Sequence, residues 1–259
     1  MEYIKYEIKN KIGYITLNRP EKRNALNAEL VEELKHTFKK AEEDITVKVI
    51  ILKAEGKAFC AGADLAYLQS LQKNTFDENL ADSVNLAELY KQIYTLNKVV
   101  IAQVEGHAIA GGAGLATVCD FVFSVPEVKY GYTEVAIGFV PAIVSFFLLR
   151  KIGETKTKEL LLTGNLISAE QAKALNIYNF IEDTDKIKDA TYQFAQKLIT
   201  NTSGDSLTLT KKLISDIQSL DYVKGLNFAA EINAMSRDTK DCKKGIADFL
   251  NKEKTTWDN

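Results

Sequence analysis

The sequence predicts a mixed protein of the α/β (α+β) class, with strands concentrated in the first half and helices in the last third. Apolar runs of strand length recur in the first half, and small or polar segments follow them. The last third instead carries apolar residues at helical spacing. At 259 residues, the chain forms one large domain or a domain with an appendage, and it has no internal repeat and no evident linker.

The N-terminal quarter predicts a hairpin, a loop, a helix and a buried strand. Residues 2–17 alternate apolar and polar side chains around Gly13, as two short strands do. Residues 18–27 form a polar loop, and Asn27 is placed to cap a helix. That helix carries Leu30, Val31, Leu34, Phe38 and Ala41 on one face. Residues 47–52 then read as a buried strand.

The middle of the chain predicts further strands separated by less regular segments. Residues 67–80 are rich in polar side chains and predict an irregular segment, whereas residues 82–97 predict a helix. Residues 99–104 and 121–125 predict strands. After Pro141, residues 142–151 predict a strongly apolar helix.

The last third predicts helices throughout. Ser168 and Gln171 form a capping-box pattern at the start of a helix that runs to Leu175. Residues 186–200 and 205–219 predict two amphipathic helices, and residues 226–254 predict a last helix interrupted at Gly245.

Composition argues against several classes of partner. A formal net charge of −2 and a pI of about 5.9 predict no nucleic-acid partner and no attraction to anionic membranes. No apolar run is long enough to span a membrane, and the N-terminus lacks the apolar core of a signal peptide. The three cysteines form no C-x-x-C pair, which indicates a reduced, cytoplasmic protein. With only two histidines, we expect no metal site.

The stretch with the clearest chemical signal is residues 104–120, VEGHAIAGGAGLATVCD, in which four of the 14 glycines fall within nine residues. A strand, a glycine-rich turn and a helix start leave backbone N–H groups free to stabilise negative charge. Taken alone, the stretch fits equally well a tight turn that only packs.

A second stretch favours the functional interpretation. Residues 57–65, KAFCAGADL, again place small residues directly after an apolar strand. Two such turns can aim two backbone N–H groups at one point, which is the arrangement of an oxyanion hole.

With both stretches in view, the chain resembles the enoyl-CoA hydratase/isomerase (crotonase) family. The resemblance covers nearly the whole chain and rests on six motifs in the family's order. They are NRPEKRNALN, AFCAGADL, GHAIAGGAGLA with CDF, YTEVAIGFVP, LLTGNLISAEQAKALN and the tail DTKDCKKGIADFLNKEKTTW.

The resemblance implies a crotonase-like β-β-α spiral core over residues 1–195 and a C-terminal helical oligomerisation region over residues 196–259. It implies a homotrimer, or a hexamer of two trimers. It also implies an acyl-CoA thioester substrate, with coenzyme A as part of the substrate and no separate cofactor.

The resemblance also implies which residues act. The N–H groups of Ala63 and Gly111 match the oxyanion-hole donors of the family, and Glu134 matches a catalytic glutamate. Glu134 lies among apolar neighbours at a predicted strand end, where burial raises the pKa of a carboxylate towards neutrality. The implied substrate-binding residues are Lys22, Arg23, Ala25, Ala61, Asp64, Leu65 and Gly114.

Gly114 is a departure from the hydratase pattern, because hydratases with two glutamates carry the second one at this position. Hydration uses two proton transfers and suits two carboxylates, whereas a double-bond shift needs only one. The sequence therefore leaves hydration and isomerisation open. Asp77 and Glu78 are conceivable second acids, although no motif places them.

Three further alternatives stay open at this point. The chain also resembles 3-methylglutaconyl-CoA hydratase-like proteins, and a decarboxylating member of the family would need only the oxyanion hole and one proton donor. A non-catalytic CoA-binding homologue would keep the fold and lose turnover. We expect Asp64 to cap a helix, Asp120 to anchor a turn, Tyr132 to pack in the core, and Cys60 and Cys119 to be buried and inert.

Overall fold

The computed structural model describes residues 2–257, and it contains two sheets that share a repeated strand-strand-helix order. The strands are β1 (Ile4–Lys9), β2 (Ile12–Leu17), β3 (Val49–Ala54), β4 (Ala58–Cys60), β5 (Val99–Val104), β6 (His107–Ile109), β7 (Phe121–Ser124), β8 (Lys129–Gly131), β9 (Ile167–Ser168) and β10 (Phe180–Ile181).

From β3 to β8, successive strands of the chain alternate between the two sheets. The larger has the order β1-β2-β3-β5-β7-β10 and is parallel apart from the β1–β2 hairpin. The smaller has the order β4-β6-β8-β9, in which only the β8–β9 pair is antiparallel. The three repeats that begin with β3, β5 and β7 therefore cross from the large sheet to the small one before their helices begin. This is the predicted β-β-α spiral, and the fold class is confirmed.

Ten α-helices complete the described part of the chain. They are α1 (Ala28–Glu43), α2 (Leu65–Leu71), α3 (Phe76–Thr95), α4 (Gly111–Thr117), α5 (Ala142–Thr163), α6 (Ala169–Ala174), α7 (Ile187–Asn201), α8 (Gly204–Ile217), α9 (Tyr222–Asp238) and α10 (Lys240–Leu250). Within residues 2–257, none of the helices has the length and apolar character needed to cross a bilayer.

The apolar runs of the sequence form the core. All six residues of β5 and the first four of β3 are buried, as expected for parallel strands covered on both faces. The predicted apolar face of α1 is buried as well, and the Asn27 side chain accepts a hydrogen bond from the Leu30 N–H. The capping box of Ser168 and Gln171 also forms as predicted.

The prediction of an irregular segment over residues 67–80 is wrong. Helix α2 occupies its first part, and α3 starts at Phe76, six residues before the predicted start. Thr75 and Glu78 form a capping box that begins α3. The apolar side chains Leu65, Phe76 and Leu80 are all exposed in the chain, so the segment shows no core-facing periodicity.

Two predictions about helix ends also need correction. Helix α5 extends beyond Lys151 to Thr163, with a non-helical residue at Gly153. The last helical region breaks at Thr239 rather than at Gly245, which lies inside α10. Thr239 accepts a hydrogen bond from the Cys242 N–H, so a new N-cap marks the break.

The loop before α1 is held by a single buried side chain. Asn24 is fully buried, and its Nδ2 donates to the carbonyl oxygens of Glu55 and Ala58 at 2.9 Å each. Its Oδ1 accepts from the Arg19 N–H at 2.8 Å. Asn24 thereby fastens the loop to the connection between β3 and β4.

We expect Asn24→Ala to destabilise the protein by roughly 2–4 kcal/mol, because the buried Ala58 carbonyl and two part-buried backbone groups, the Arg19 N–H and the Glu55 carbonyl, lose this partner. Urea unfolding followed by circular dichroism measures the loss. Lys22→Ala, on the exposed side of the same loop, is the control and should change stability by less than about 0.5 kcal/mol. A loss for Asn24→Ala no larger than that of the control would contradict this role.

Candidate active site

A cavity of about 260 Å³ lies where the small sheet meets helices α1, α3 and α5. It brings together Ala63, Gly111 and Glu134, the three residues predicted to act, together with Ala61 and Leu65. Its remaining wall is mostly apolar. The other lining residues are Leu26, Asn27, Ala28, Val31, Tyr67, Leu68, Asp82, Ser83, Asn85, Leu86, Ala110, Thr133, Ile137, Phe139, Val140, Pro141, Ala142, Ile143 and Val144.

The backbone of Ala63 is oriented by a short parallel bridge to Leu26. The Leu26 N–H donates to the Gly62 carbonyl at 2.7 Å, and the Asp64 N–H donates to the Leu26 carbonyl at 2.8 Å. In such a bridge the residue between the two bonded groups turns its own N–H to the opposite side. The Ala63 N–H has no acceptor within residues 2–257 and is free for a ligand in the cavity.

Gly111 follows a strained residue. Ala110 has φ 51° and ψ −122°. Residues other than glycine rarely adopt this backbone conformation, which costs about 1–3 kcal/mol. The Ala110 N–H donates to the Gly131 carbonyl at 2.8 Å, and the Gly114 N–H donates to the Ala110 carbonyl at 3.0 Å. As the first residue of α4, Gly111 has no intrahelical acceptor for its N–H.

The sequence suggested that Glu134 lies at the end of a strand, but the structure places it elsewhere. It begins a short 3₁₀ helix, Glu134–Ile137, that ends at Gly138 in the left-handed conformation. The side chain is only 9% exposed, and its Oε2 is buried without a hydrogen-bond partner among the described residues. Burial raises the pKa of this carboxyl, as predicted from its apolar neighbours.

A buried network of hydroxyl groups connects the Gly111 and Glu134 segments. The Tyr130 and Tyr132 hydroxyls lie 2.7 Å apart, and both contact Thr117 Oγ1, at 2.5 and 2.9 Å. Thr117 ends α4, and Tyr132 lies two residues before Glu134. The network therefore couples the position of the carboxylate to that of the helix that begins at Gly111. Tyr132 is a core residue, as predicted.

Several residues implied as substrate contacts do not line this cavity. Lys22 and Arg23 are exposed in the neighbouring loop, where the Arg23 carbonyl accepts from the Ala61 N–H at 3.1 Å. Ala25 is buried beside them. Asp64 caps α2, as expected, and its Oδ2 pairs with Arg19 Nη1 at 2.9 Å. Burial alone would raise the pKa of Asp64, but the hydrogen bonds that it accepts lower it.

Gly114 is also outside the cavity wall, buried one helical turn after Gly111. A Cβ built there would lie 2.6 Å from Val144 Cγ1 and 3.0 Å from the ring of Tyr90. A side chain at this position, where two-glutamate hydratases carry a carboxylate, would therefore have to displace Val144 and crowd Tyr90.

The structure adds a carboxylate that sequence reasoning missed. Asp82 on α3 lines the cavity and accepts a hydrogen bond from the Tyr67 hydroxyl on α2. Asp77 and Glu78, the acids considered from the sequence, do not line it, and Glu78 caps α3 instead. No local pattern links Tyr67 with Asp82, since they lie 15 positions apart on two helices.

The remaining polar candidates have structural roles. His107 Nδ1 accepts from the Lys129 N–H at 3.1 Å at the surface. Burial raises the pKa of the Cys60 and Cys119 thiols to about 12, which leaves them protonated and inert. Asp120 accepts from the Val100 N–H and pairs with Lys211 at 2.7 Å. No cluster of three or more potential metal ligands occurs in residues 2–257.

The raised pKa of Glu134 predicts that the effect of Glu134→Gln on the free energy of unfolding depends on pH. The folded protein keeps the proton on Glu134 to higher pH than the unfolded chain does. Wild-type stability therefore falls as pH rises from the ordinary glutamate pKa through the raised one, whereas glutamine does not ionise. Urea unfolding from about pH 4 to about pH 8 should show the free energy of unfolding of the variant rising relative to that of the wild type.

Glu78→Gln is the control with the opposite sign. Hydrogen bonds from the Thr75 backbone and hydroxyl lower the pKa of Glu78. This variant should therefore lose stability relative to the wild type as pH rises from about 3 to the ordinary glutamate pKa, and the difference should stay constant above about pH 5. A difference in free energy of unfolding between Glu134→Gln and the wild type that stays constant with pH would contradict the raised pKa of Glu134.

Comparisons with known proteins agree over nearly the whole chain. The family model for enoyl-CoA hydratase/isomerase matches residues 7–259. A Thermus thermophilus protein, provisionally named an enoyl-CoA hydratase, is 41% identical over 244 residues, which cover 94% of this chain and 96% of that protein. The mitochondrial enoyl-CoA hydratase of Pongo abelii is 31% identical over 249 residues, which cover 96% of this chain and 84% of that protein.

The comparison of structures gives the same result. The crystal structure of an enoyl-CoA hydratase from Bacillus anthracis aligns with a TM-score of 0.90 at 28% identity, and the alignment covers 98% of each chain. The chain therefore belongs to the enoyl-CoA hydratase/isomerase family, a family of enzymes with the crotonase fold.

Proposed function

We propose that the protein transfers protons on an enoyl-CoA thioester through an enolate, with Glu134 as the proton carrier. The observation that carries this proposal is the buried Oε2 of Glu134, which lines the same cavity as Ala63 and Gly111; within residues 2–257, this oxygen and the N–H groups of Ala63 and Gly111 have no hydrogen-bond partner. The N–H groups of Ala63 and Gly111 would hold the thioester oxygen as it becomes negative. Losing one such donor typically costs about 10²–10³ in rate.

The leading reaction is a shift of the double bond. Glu134 takes a proton from C2 of a 3-enoyl thioester, the thioester oxygen carries the enolate charge, and the same carboxyl returns the proton at C4. The product is the conjugated 2-enoyl thioester, and no atom is gained or lost. One carboxylate suffices for both transfers. The closed position at Gly114 favours this reaction.

Hydration is the second candidate. It would add water across a 2-enoyl thioester, with hydroxide going to C3 and a proton to C2. The names of the Thermus and Pongo relatives support it. Asp82 supports it as well, because it is a second carboxylate in the cavity wall.

The charge of the cavity favours a neutral acyl group. Among the described lining residues there is no Lys, Arg or His, whereas Glu134 and Asp82 are both acidic. A carboxylate on the acyl chain would meet like charges and no cation. This disfavours a 3-methylglutaconyl-type substrate. It also disfavours a decarboxylation reaction, because the substrate of that reaction carries a carboxylate on its acyl chain.

We propose that coenzyme A binds along the loop of residues 18–27. Lys22 and Arg23 are exposed there and would contact its phosphates. The backbone hydrogen bond from Ala61 to Arg23 connects this loop to the cavity. Ala25, Leu65 and Asp64 would shape the passage between them. No cofactor besides the coenzyme A of the substrate is needed for this chemistry.

We further propose that a spiral core of residues 1–195 carries the site, and that residues 196–259 assemble the chain into a homotrimer or hexamer. Large apolar side chains exposed in this region support assembly. They are Ile214, Leu220, Tyr222, Val223, Leu226, Met235, Ile246, Phe249 and Leu250. A cytoplasmic role in fatty acid metabolism fits such an enzyme.

Liquid chromatography that separates the double-bond isomers, followed by mass spectrometry, tests the reaction on a panel of 2-enoyl- and 3-enoyl-CoA thioesters. We expect a 3-enoyl substrate to become its conjugated isomer at unchanged mass, and a gain of one water from a 2-enoyl substrate would establish hydration instead. Glu134→Gln should abolish turnover while CoA binding, measured by calorimetry, stays within about threefold. Turnover retained in this variant would remove Glu134 from the mechanism. CoA binding without turnover across the panel would support the non-catalytic alternative.

A matched pair of thioesters tests the neutral acyl group. The kcat/KM for a neutral enoyl-CoA should exceed that for a carboxylated one of equal length by roughly tenfold or more. Asp82→Asn should narrow this ratio, because it removes one of the two negative charges. Asp77→Asn, on the same helix but outside the cavity wall, is the control and should leave the ratio unchanged. Equal rates on both thioesters in the wild type would contradict the assignment.

A further inference from the structure

Tyr90 lies behind the wall of the cavity and contacts the predicted oxyanion-hole turn directly. It is on α3, is fully buried and packs edge-on against Phe147, with ring centroids 6.2 Å apart. Its hydroxyl donates to the Gly111 carbonyl at 2.6 Å. Tyr90 therefore bonds to the residue whose N–H is proposed to hold the thioester oxygen.

The turn that Tyr90 contacts is under strain. Ala110 has a positive φ, and two backbone hydrogen bonds restrain it. Its N–H donates to the Gly131 carbonyl, and its carbonyl accepts from the Gly114 N–H. The first bond holds the peptide unit before Ala110, and the second holds the unit between Ala110 and Gly111, which includes the Gly111 N–H. The Tyr90 hydroxyl restrains the next peptide unit, between Gly111 and Gly112, and so limits rotation about Gly111.

The same tyrosine closes the position one turn further along α4. A Cβ at Gly114 would lie 3.0 Å from Tyr90 Cε2 and 3.0 Å from the Tyr90 hydroxyl. A Cβ at Gly111 would lie 3.2 Å from that hydroxyl. Tyr90 thus closes position 114 together with Val144 Cγ1, which would lie 2.6 Å from the same Cβ.

We propose that Tyr90 is a positioning residue that holds the strained Ala110–Gly111 turn, so that the Gly111 N–H is directed into the cavity. The ring fills the space of the absent side chain at position 114, and the hydroxyl restrains the turn. Without the hydroxyl, the turn relaxes towards an unstrained conformation and the N–H leaves its position. This inference rests on the proposed enolate chemistry.

Tyr90→Phe tests the proposal, because it removes the hydroxyl and keeps the ring. We expect kcat to fall roughly tenfold to a hundredfold, since a donor is misplaced rather than lost. KM and CoA affinity should stay within about threefold, because the ground-state contacts remain. Tyr94→Phe is the matched control. It makes the same change one turn along α3, where the ring also packs on Phe147 but the hydroxyl contacts Gln218. Its kcat should equal that of the wild type.

A second pair of variants separates positioning from a general loss of packing. Ala110→Gly removes the strain, since glycine adopts this conformation readily. Tyr90→Phe should therefore cost less kcat in the Ala110→Gly background than in the wild type. An equal cost in both backgrounds, or an unchanged kcat in Tyr90→Phe alone, would overturn the proposal.

Amide hydrogen exchange keeps this test independent of the proposed reaction. Peptides covering residues 107–115 should exchange faster in Tyr90→Phe than in Tyr94→Phe or the wild type, with no substrate present. If no enoyl-CoA is turned over, faster exchange still supports the positioning role while the enolate chemistry fails. Unchanged exchange would contradict the role of Tyr90, whatever the wild-type activity.

Discussion

The site depends on a close approach between two stretches of backbone, the end of β4 and the turn between β6 and α4. A Cβ at Gly112 would lie only 2.1 Å from the Cys60 carbonyl oxygen, so a side chain at this position would force the two segments apart. Strands β4 and β6 are neighbours in the small sheet, and their loops leave it side by side. Because the two segments touch through main-chain atoms, Ala63 and Gly111 come to line one cavity.

This arrangement places unfavourable features together. Ala110 is strained, and among residues 2–257 Glu134 Oε2 has no hydrogen-bond partner and the N–H groups of Ala63 and Gly111 have no acceptor. Each would relax if its segment could move. The hydroxyl network of Thr117, Tyr130 and Tyr132 and the fully buried strand β5 hold the segments in place. The strain and the unsatisfied groups lie where a substrate would bind, and the surrounding core offsets their cost.

Sequence patterns predicted those parts of the fold that local rules determine. The Asn27 cap, the apolar face of α1 and the buried strands followed from spacing and side-chain type alone. Tertiary contacts determine the rest. Helix α2 and the start of α3 have no core-facing stripe, so polarity alone suggested an irregular segment. The bond from Tyr90 to Gly111 joins residues 21 positions apart on different elements, and no spacing rule connects them.

The absence of a carboxylate at position 114 is a property of packing as well as of sequence. Val144 and Tyr90 occupy the space, so a glutamate there would need changes on α3 and α5 together with its own. Hydration in this protein would then have to draw its second carboxylate from another element, and Asp82 is the other acid in the described cavity wall. Asp82 comes from α3, the helix that also carries Tyr90. Helix α3 thus helps to close the usual position of the second acid, and it presents a different carboxylate to the cavity.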